Sequence, residues 1–277
     1  MPHPAFAAAA AFCAFWLAWW SNRSIVGWLP DDPPGAARKQ HGRPIPLAGV
    51  VLPFAAAPWL ARGHAAVACA ILVASAVGFV DDRGKERGHD LDWRWKALGL
   101  GAAAALGATA AVSPIDEPLG WAAAALLVFV LTNATNFLDN TNGVAASLAA
   151  VSLLLLANGD AAIAAFGWAA LGFLPWNWPK ARLFLGDSGA YALGTAVGIA
   201  AARGAASDAT RLLAVAVQLL DFVQVLTARL ALALPPWVGD RRHLTHIAQN
   251  LGMPAHAVAP FFAVLALLLG ALACCPP

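Results

Sequence analysis

Four short polar stretches gather ten acid and amide side chains of this 277-residue chain. They are VDDRG (80–84), NATNFLDNTNG (133–143), NWPKARLFLGDSG (177–189) and GDRRHLTH (239–246). Asp81 and Asp82 are adjacent, so both ionise together only where a cation or an arginine relieves their repulsion. Asn133, Asn136, Asp139, Asn140 and Asn142 crowd one stretch. Amide oxygens clustered beside a carboxylate suit a pyrophosphate, a sugar or a hard cation. Asn136 shares a helical face with both Asn133 and Asn140. Asp187 and Ser188 stand where a new apolar run begins, a position for an N-cap, and helix N-termini attract phosphate. A carboxylate held there among phosphates would bind magnesium. Asp240, Arg241, Arg242, His243 and His246 can hold phosphates through charge-assisted hydrogen bonds. A further stretch, 31–46, adds Arg38, Lys39, His41 and Arg43. Each motif alone has a plainer reading, as a helix cap, an Asn-rich turn or a juxtamembrane basic patch. Together they offer carboxylates for a divalent cation, bases for phosphates and amides for a sugar. That is the equipment of phosphoryl transfer, where positioning and charge neutralisation do most of the catalysis.

The elements that must position these groups are apolar. The chain is 60% hydrophobic and 12% charged, with mean hydropathy +0.67. Soluble domains carry roughly 25% charged residues, so this chain lacks the charge to solvate a surface. Apolar runs lie at about 4–20, 45–61, 64–80, 97–113, 119–134, 143–157, 160–176, 188–202, 209–232 and 257–273. A membrane helix needs about 20 residues, or somewhat fewer. The expected fold is therefore all-α: a polytopic integral membrane protein with about ten transmembrane helices, forming one domain over 1–277. No basic segment precedes the first run, and Trp16, Trp19 and Trp20 suit an interface belt, so it reads as a span and not as a signal peptide.

Each polar stretch sits at the end of an apolar run, and all four emerge on one side. Thirteen Lys and Arg fall in the loops 21–43, 81–96, 177–187 and 235–256, against Arg62 and Arg203 in the opposite loops. The basic side should be cytoplasmic. A cytoplasmic-face active site with both termini periplasmic follows. Cys13, Cys69, Cys274 and Cys275 form no CxxC pair or Cys/His cluster, which gives no indication of zinc. His3, His64, His89 and His256 have no partner pattern. No nucleic-acid partner is expected.

From about residue 27 to 252 the chain resembles the polyprenyl-phosphate N-acetylhexosamine-1-phosphate transferases, often called glycosyltransferase family 4. GWLPDDPPGAARKQHGRPIPLAG is similar to the family's D-x-P…RK-x-H…P-x-x-GG, and FVDDR to its paired-Asp motif. NATNFLDNTNGVA resembles N-x-x-N-x-x-D-G-x-D-G, and NWPKARLFLGDSGAYALG resembles N…F-x-GD-x-GS. LLDFVQVLTARL and DRRHLTH resemble the D-x-x-x-x-x-x-R segment and D-R-x-H-L-H-H. Departures are Ala48 for a Gly, Asn140 for Gly, Asn142 for Asp, Thr245 for His, and a loop lengthened by GKERGHD.

The resemblance implies that a polyprenyl (undecaprenyl) phosphate attacks a UDP-N-acetylhexosamine and releases UMP, for an envelope polysaccharide or lipopolysaccharide. It implies magnesium, with manganese as a substitute, held by Asp187 with Asn136 as a second ligand. Asp81 is the candidate base, with Asp82 beside it, and Asp139 lies in the nucleotide and metal region. Phe184 would stack on uracil and Asn177 would hydrogen-bond near the nucleotide. Lys39, His41, Asn133, Arg242, His243 and His246 would complete the binding of phosphate and sugar. The setting implied is a bacterial cytoplasmic membrane, with a homodimer as one form of assembly. Two alternatives stay open. One is the phospho-MurNAc-pentapeptide transferase branch, the other an inactive or transport homologue. CDP-alcohol phosphotransferases need DGxxDGxxAR, which this chain lacks.

Overall fold

The computed structural model describes residues 4–24, 29–33, 44–61, 65–239 and 241–274. Every apolar run named above contains helix. α1 spans Pro4–Ser24, α2 Val51–Leu60, α3 Ala65–Glu86, α4 Trp93–Ala108, α5 Pro118–Leu138 and α6 Val144–Leu156. α7 spans Ala161–Asn177, α8 Gly186–Ser207, α9 Ala216–Ala231 after a 3-10 turn at Ala209–Val215, and α11 Ala255–Cys274. Among the described residues, four helical segments are long and apolar enough to cross a membrane: Ala65–Glu86, Pro118–Leu138, Ala209–Ala231 and Ala255–Ala273. Helices α2, α6 and α7 are apolar but shorter.

Two elements were not expected. One is a short helix, α10, at Leu244–Asn250. The other is a two-stranded antiparallel ladder of β1 (Asp31–Asp32) with β2 (Ile45–Pro46).

The ends of the helices follow local chemistry. Asp92, Asp160 and Asp208 each accept the first free backbone N–H groups of the helix they precede. Such caps contribute about 1 kcal/mol each. Pro118 begins α5, where a missing N–H costs nothing.

Helix α8 is the hub. Ser188–Ala202 is buried throughout, against α3 on one side and α5 on the other. Apolar side chains gain little by leaving lipid for protein, so helices in membranes associate through close packing of small residues. Gly194 and Gly198, four residues apart, provide it. A Cβ at either would lie 2.6 Å from a Cα of α5, at Thr132 or Val128. Thr132 and Thr195 hydroxyls then meet at 3.1 Å across the contact. At the far end, Arg203 of α8 donates to the Ala110 carbonyl and pairs with Asp160, tying together α4, α7 and α8. These packings fix the C-terminal ends of α3 and α5 beside the N-terminal end of α8.

Candidate active site

Asp81 and Asp82 occupy the last turns of α3. One turn earlier, Gly78 faces the start of α8, where a Cβ would lie 2.4 Å from the backbone of Asp187 and Ser188. Its missing side chain lets α3 lie directly on the helix end. Asp82, almost fully buried, then accepts the Asp187 N–H at Oδ1 and the Ser188 N–H at Oδ2, both at 3.0 Å. A carboxylate thus caps the positive end of α8 from a different helix. Each oxygen of Asp82 thus accepts one N–H of the helix start.

Asp81 is fully buried. Its Oδ2 lies 2.8 Å from Lys85 Nζ and 2.7 Å from Lys96 Nζ. Its Oδ1 accepts the Leu91 N–H at 2.9 Å. Lys85 also reaches Asp187 Oδ2 at 3.0 Å, bridging the two carboxylates. Asn136 of α5 donates its amide to Asp187 Oδ1 at 3.0 Å. The Tyr191 hydroxyl, one turn along α8, bonds the same carboxylate. Asp139, just past α5, faces the Gly186 N–H. Burial holds its carboxyl well above the ordinary carboxylate range, and the charges of Asp187 and Asp82 add to the shift. Asp139 therefore keeps its proton to higher pH than a solvated carboxyl. Ser188 Oγ is buried with no partner.

The loop after α5 ties this centre to α10. Asn140 Oδ1 accepts from the Thr245 hydroxyl at 2.6 Å and from the Thr141 hydroxyl at 2.9 Å. Gln249 donates to Thr141 at 3.2 Å. Asn140 and Thr245 are two of the departures from the family pattern, and here they are each other's partners. A glycine at 140 would have no side chain to accept this bond. Asn142, the third departure, donates to the Pro179 carbonyl at 3.2 Å, away from Asp187. The lengthened loop is ordered by α3 itself, which runs through Lys85 to Glu86, and by Gly84, whose carbonyl accepts from Arg87 and His89.

The other residues expected to contact substrate take the following places. Asn177 is buried and both ends of its amide are occupied: Oδ1 accepts the Gly143 N–H and Nδ2 donates to the Leu183 carbonyl. It braces two loops. Asn133 donates to the Phe129 carbonyl of its own helix, one turn below the centre. Phe184 bridges to β2, its N–H donating to Pro46 and its carbonyl accepting from Ala48. His243 and His246 pack with ring centroids 5.9 Å apart, both buried. Arg242 precedes them, half-buried. Lys39 and His41, with Arg38, Arg43 and Asp240, lie outside the described residues.

The structure adds groups that were given no role from the sequence: Lys85, Lys96, Tyr191 and Asp221, the last being the aspartate of LLDFVQVLTARL. The i, i+4 spacing of Asp81 and Lys85 is a readable helix-face pair. Asp221, a carboxylate within an apolar run, is a readable anomaly. Nothing in spacing points to Lys96, which arrives from α4.

A family model described as glycosyl transferase family 4 matches residues 64–205. The chain is similar to an undecaprenyl-phosphate alpha-N-acetylglucosaminyl 1-phosphate transferase of Thermotoga maritima. The two are 29% identical over 219 residues, covering 76% of this chain and 70% of that protein. It is also 29% identical over 262 residues to a decaprenyl-phosphate N-acetylglucosaminephosphotransferase of Mycolicibacterium smegmatis, covering 75% and 63%. A phospho-N-acetylmuramoyl-pentapeptide-transferase of Moorella thermoacetica is 40% identical over 95 residues, 30% of either chain. The matches thus cover 70%, 63% and 30% of the lengths of these three relatives.

Proposed function

Since the chain belongs to glycosyl transferase family 4, we propose that it transfers an N-acetylhexosamine 1-phosphate from a UDP-sugar to a polyprenyl phosphate and releases UMP. The observation that carries this reading is one cluster. Asp81, Asp82, Asp139 and Asp187 come from three separate segments and meet with Lys85 and Lys96 at one end of the helices. A phosphate oxygen of the lipid attacks the sugar-bearing phosphorus. A new P–O bond forms, the bond to the bridging oxygen breaks, and UMP leaves with that oxygen. Lys85 and Lys96 supply two positive charges where anionic phosphates must be brought together against their repulsion.

The donor set suits magnesium. Asp187 and Asn136 provide oxygen ligands, and the Ser188 hydroxyl beside them is buried and unpartnered. No three His, Cys, Asp or Glu side chains among the described residues converge as a metal cage. Magnesium is commonly held by one or two carboxylates with water and substrate phosphates. When bound, it would neutralise the pyrophosphate charge. Manganese takes the same oxygen ligands.

Asp81 is better read as the anchor of two lysines than as a base, because its carboxylate meets both ammonium groups and a backbone N–H, besides the carboxyl of Asp187. No base is required at neutral pH: the second pKa of a phosphate monoester is about 6, so the lipid phosphate is largely a dianion. Asp81→Asn should lower turnover about 10²-fold by loosening both lysines, equally at about pH 6 and about pH 8.5. Recovery of the variant toward high pH would restore Asp81 as the base.

The direct test of the reaction is UMP release from a panel of UDP-sugars, with undecaprenyl phosphate and magnesium. UDP-N-acetylhexosamines should be the substrates, and no release from any donor would overturn the reading. A second reading, transfer of a phospho-N-acetylmuramoyl-pentapeptide, is favoured by the 40% identity to the Moorella thermoacetica protein. The corresponding nucleotide donor belongs in the panel.

The setting we infer is a bacterial cytoplasmic membrane crossed about ten times, with the site facing the cytoplasm. The asymmetry of basic loop residues supports it. Reporter fusions after Pro30, Arg87, Lys180 and Arg241 should read cytoplasmic. Fusions after Gly63, Pro114, Asp160 and Gly204 should read external. An external reading at any motif loop would break the single-site arrangement.

A further inference from the structure

We propose that Asp221 is a positioning residue that holds His243 by its Nδ1, so that Nε2 is the ring atom offered to the substrate. The role of His243 toward phosphate or sugar rests on the transferase reading above; the bond itself does not.

Asp221 is fully buried inside the span Ala209–Ala231. A carboxylate in such a place is costly and needs partners. It has two, both from one segment 22 residues further on. His243 Nδ1 lies 2.9 Å from Oδ2, and the Leu244 N–H donates to Oδ1 at 2.7 Å. The chain after α9 therefore turns back and docks α10 on this side chain. An ionised carboxylate accepts only, so Nδ1 must carry the proton, which leaves Nε2 as the unbonded ring nitrogen of this pair.

The ring is fixed from a second side. Phe137 meets it edge-to-face, centroids 5.7 Å apart at 75°. Phe137 is in turn stacked with Phe222 at 5.4 Å and lies 4.7 Å under the Arg229 guanidinium. Phe137 belongs to the last turn of α5, the helix that also carries Asn136 and leads into Asp139. A second group that sets the tautomer of a functional histidine is a recurrent device.

The test is independent of the reaction in its first part. With 15N-histidine labelling, the His243 side chain is identified by its loss in His243→Gln. The native protein should show a proton on Nδ1. In Asp221→Asn the amide oxygen can still accept from Leu244, but its NH2 must donate to Nδ1, so the proton should move to Nε2. A bare Nδ1 in the native protein would overturn the proposal, whatever the activity.

The second part is kinetic. Asp221→Asn and His243→Gln should each lower kcat/KM for the UDP-sugar by about 10²-fold, and the double variant should be no more than about threefold worse than the poorer single one. Multiplicative losses, or an Asp221→Asn enzyme of native activity, would overturn it. If no UDP-sugar is turned over by the native protein, the transferase reading fails while the tautomer result still stands or falls alone.

Discussion

Asp187→Asn should leave a folded, membrane-inserted protein that turns over at least about 10³-fold more slowly, a loss of roughly 4 kcal/mol of transition-state stabilisation. The side chain is 14% exposed and sits where α3, α5 and α8 meet. It is the point shared by Lys85, Asn136 and Tyr191. An amide keeps the shape and can still accept from Asn136, but loses the charge that a divalent cation and Lys85 require. Stability should change little, because the substitution removes one anion from a crowd of four. The check is UMP release at saturating magnesium, alongside thermal unfolding in detergent. Turnover within about threefold of native, with magnesium saturating, would remove Asp187 from the centre of the reaction.

Asp82→Ala should have a different signature, losing stability and turnover together. Asp82 accepts the N–H groups of Asp187 and Ser188 in the first turn of α8, both at 3.0 Å. Without the carboxylate these donors have no water to turn to. An unsatisfied buried group costs about 1–3 kcal/mol, so the pair should cost about 3 kcal/mol or more. The start of α8 would then loosen, and with it the backbone that aims Asp187, so turnover should fall about 10²-fold as well. Asp82→Asn should be milder in stability, since one amide oxygen still accepts one N–H. Measuring denaturation and turnover on the same preparations separates the two aspartates. A stable Asp82→Ala protein with reduced turnover would show that Asp82 acts on substrate and does not cap α8.

Much of this was written in the linear chain. The apolar runs carry the helices because length and hydropathy are local properties, and Asp92, Asp160 and Asp208 mark helix starts because a cap acts within three residues. The polar stretches were legible as a group because each ends an apolar run, and residues of three of them meet at Asp187. The sequence also marked Asp187 and Asn136, whose side chains do meet.

What only the tertiary structure decided is the partner of each polar group. Asp81 and Asp82 are neighbours in sequence, yet α-helical rotation of about 100° per residue points them at different elements. Asp81 turns to Lys85 and Lys96, Asp82 to the end of α8. Asn177 has the composition of a binding residue, but both ends of its amide close on backbone that arrives from other loops. Asn140 and Thr245 look like two separate departures from a motif until the fold places them 2.6 Å apart across 105 residues. Asp221 has meaning only once the chain turns back to set His243 upon it. A hydrogen bond is settled by distances of tenths of an ångström, and those depend on how helices rotate and slide against one another. That packing is governed by close contacts such as those at Gly78, Gly194 and Gly198, whose neighbours lie far away in the chain.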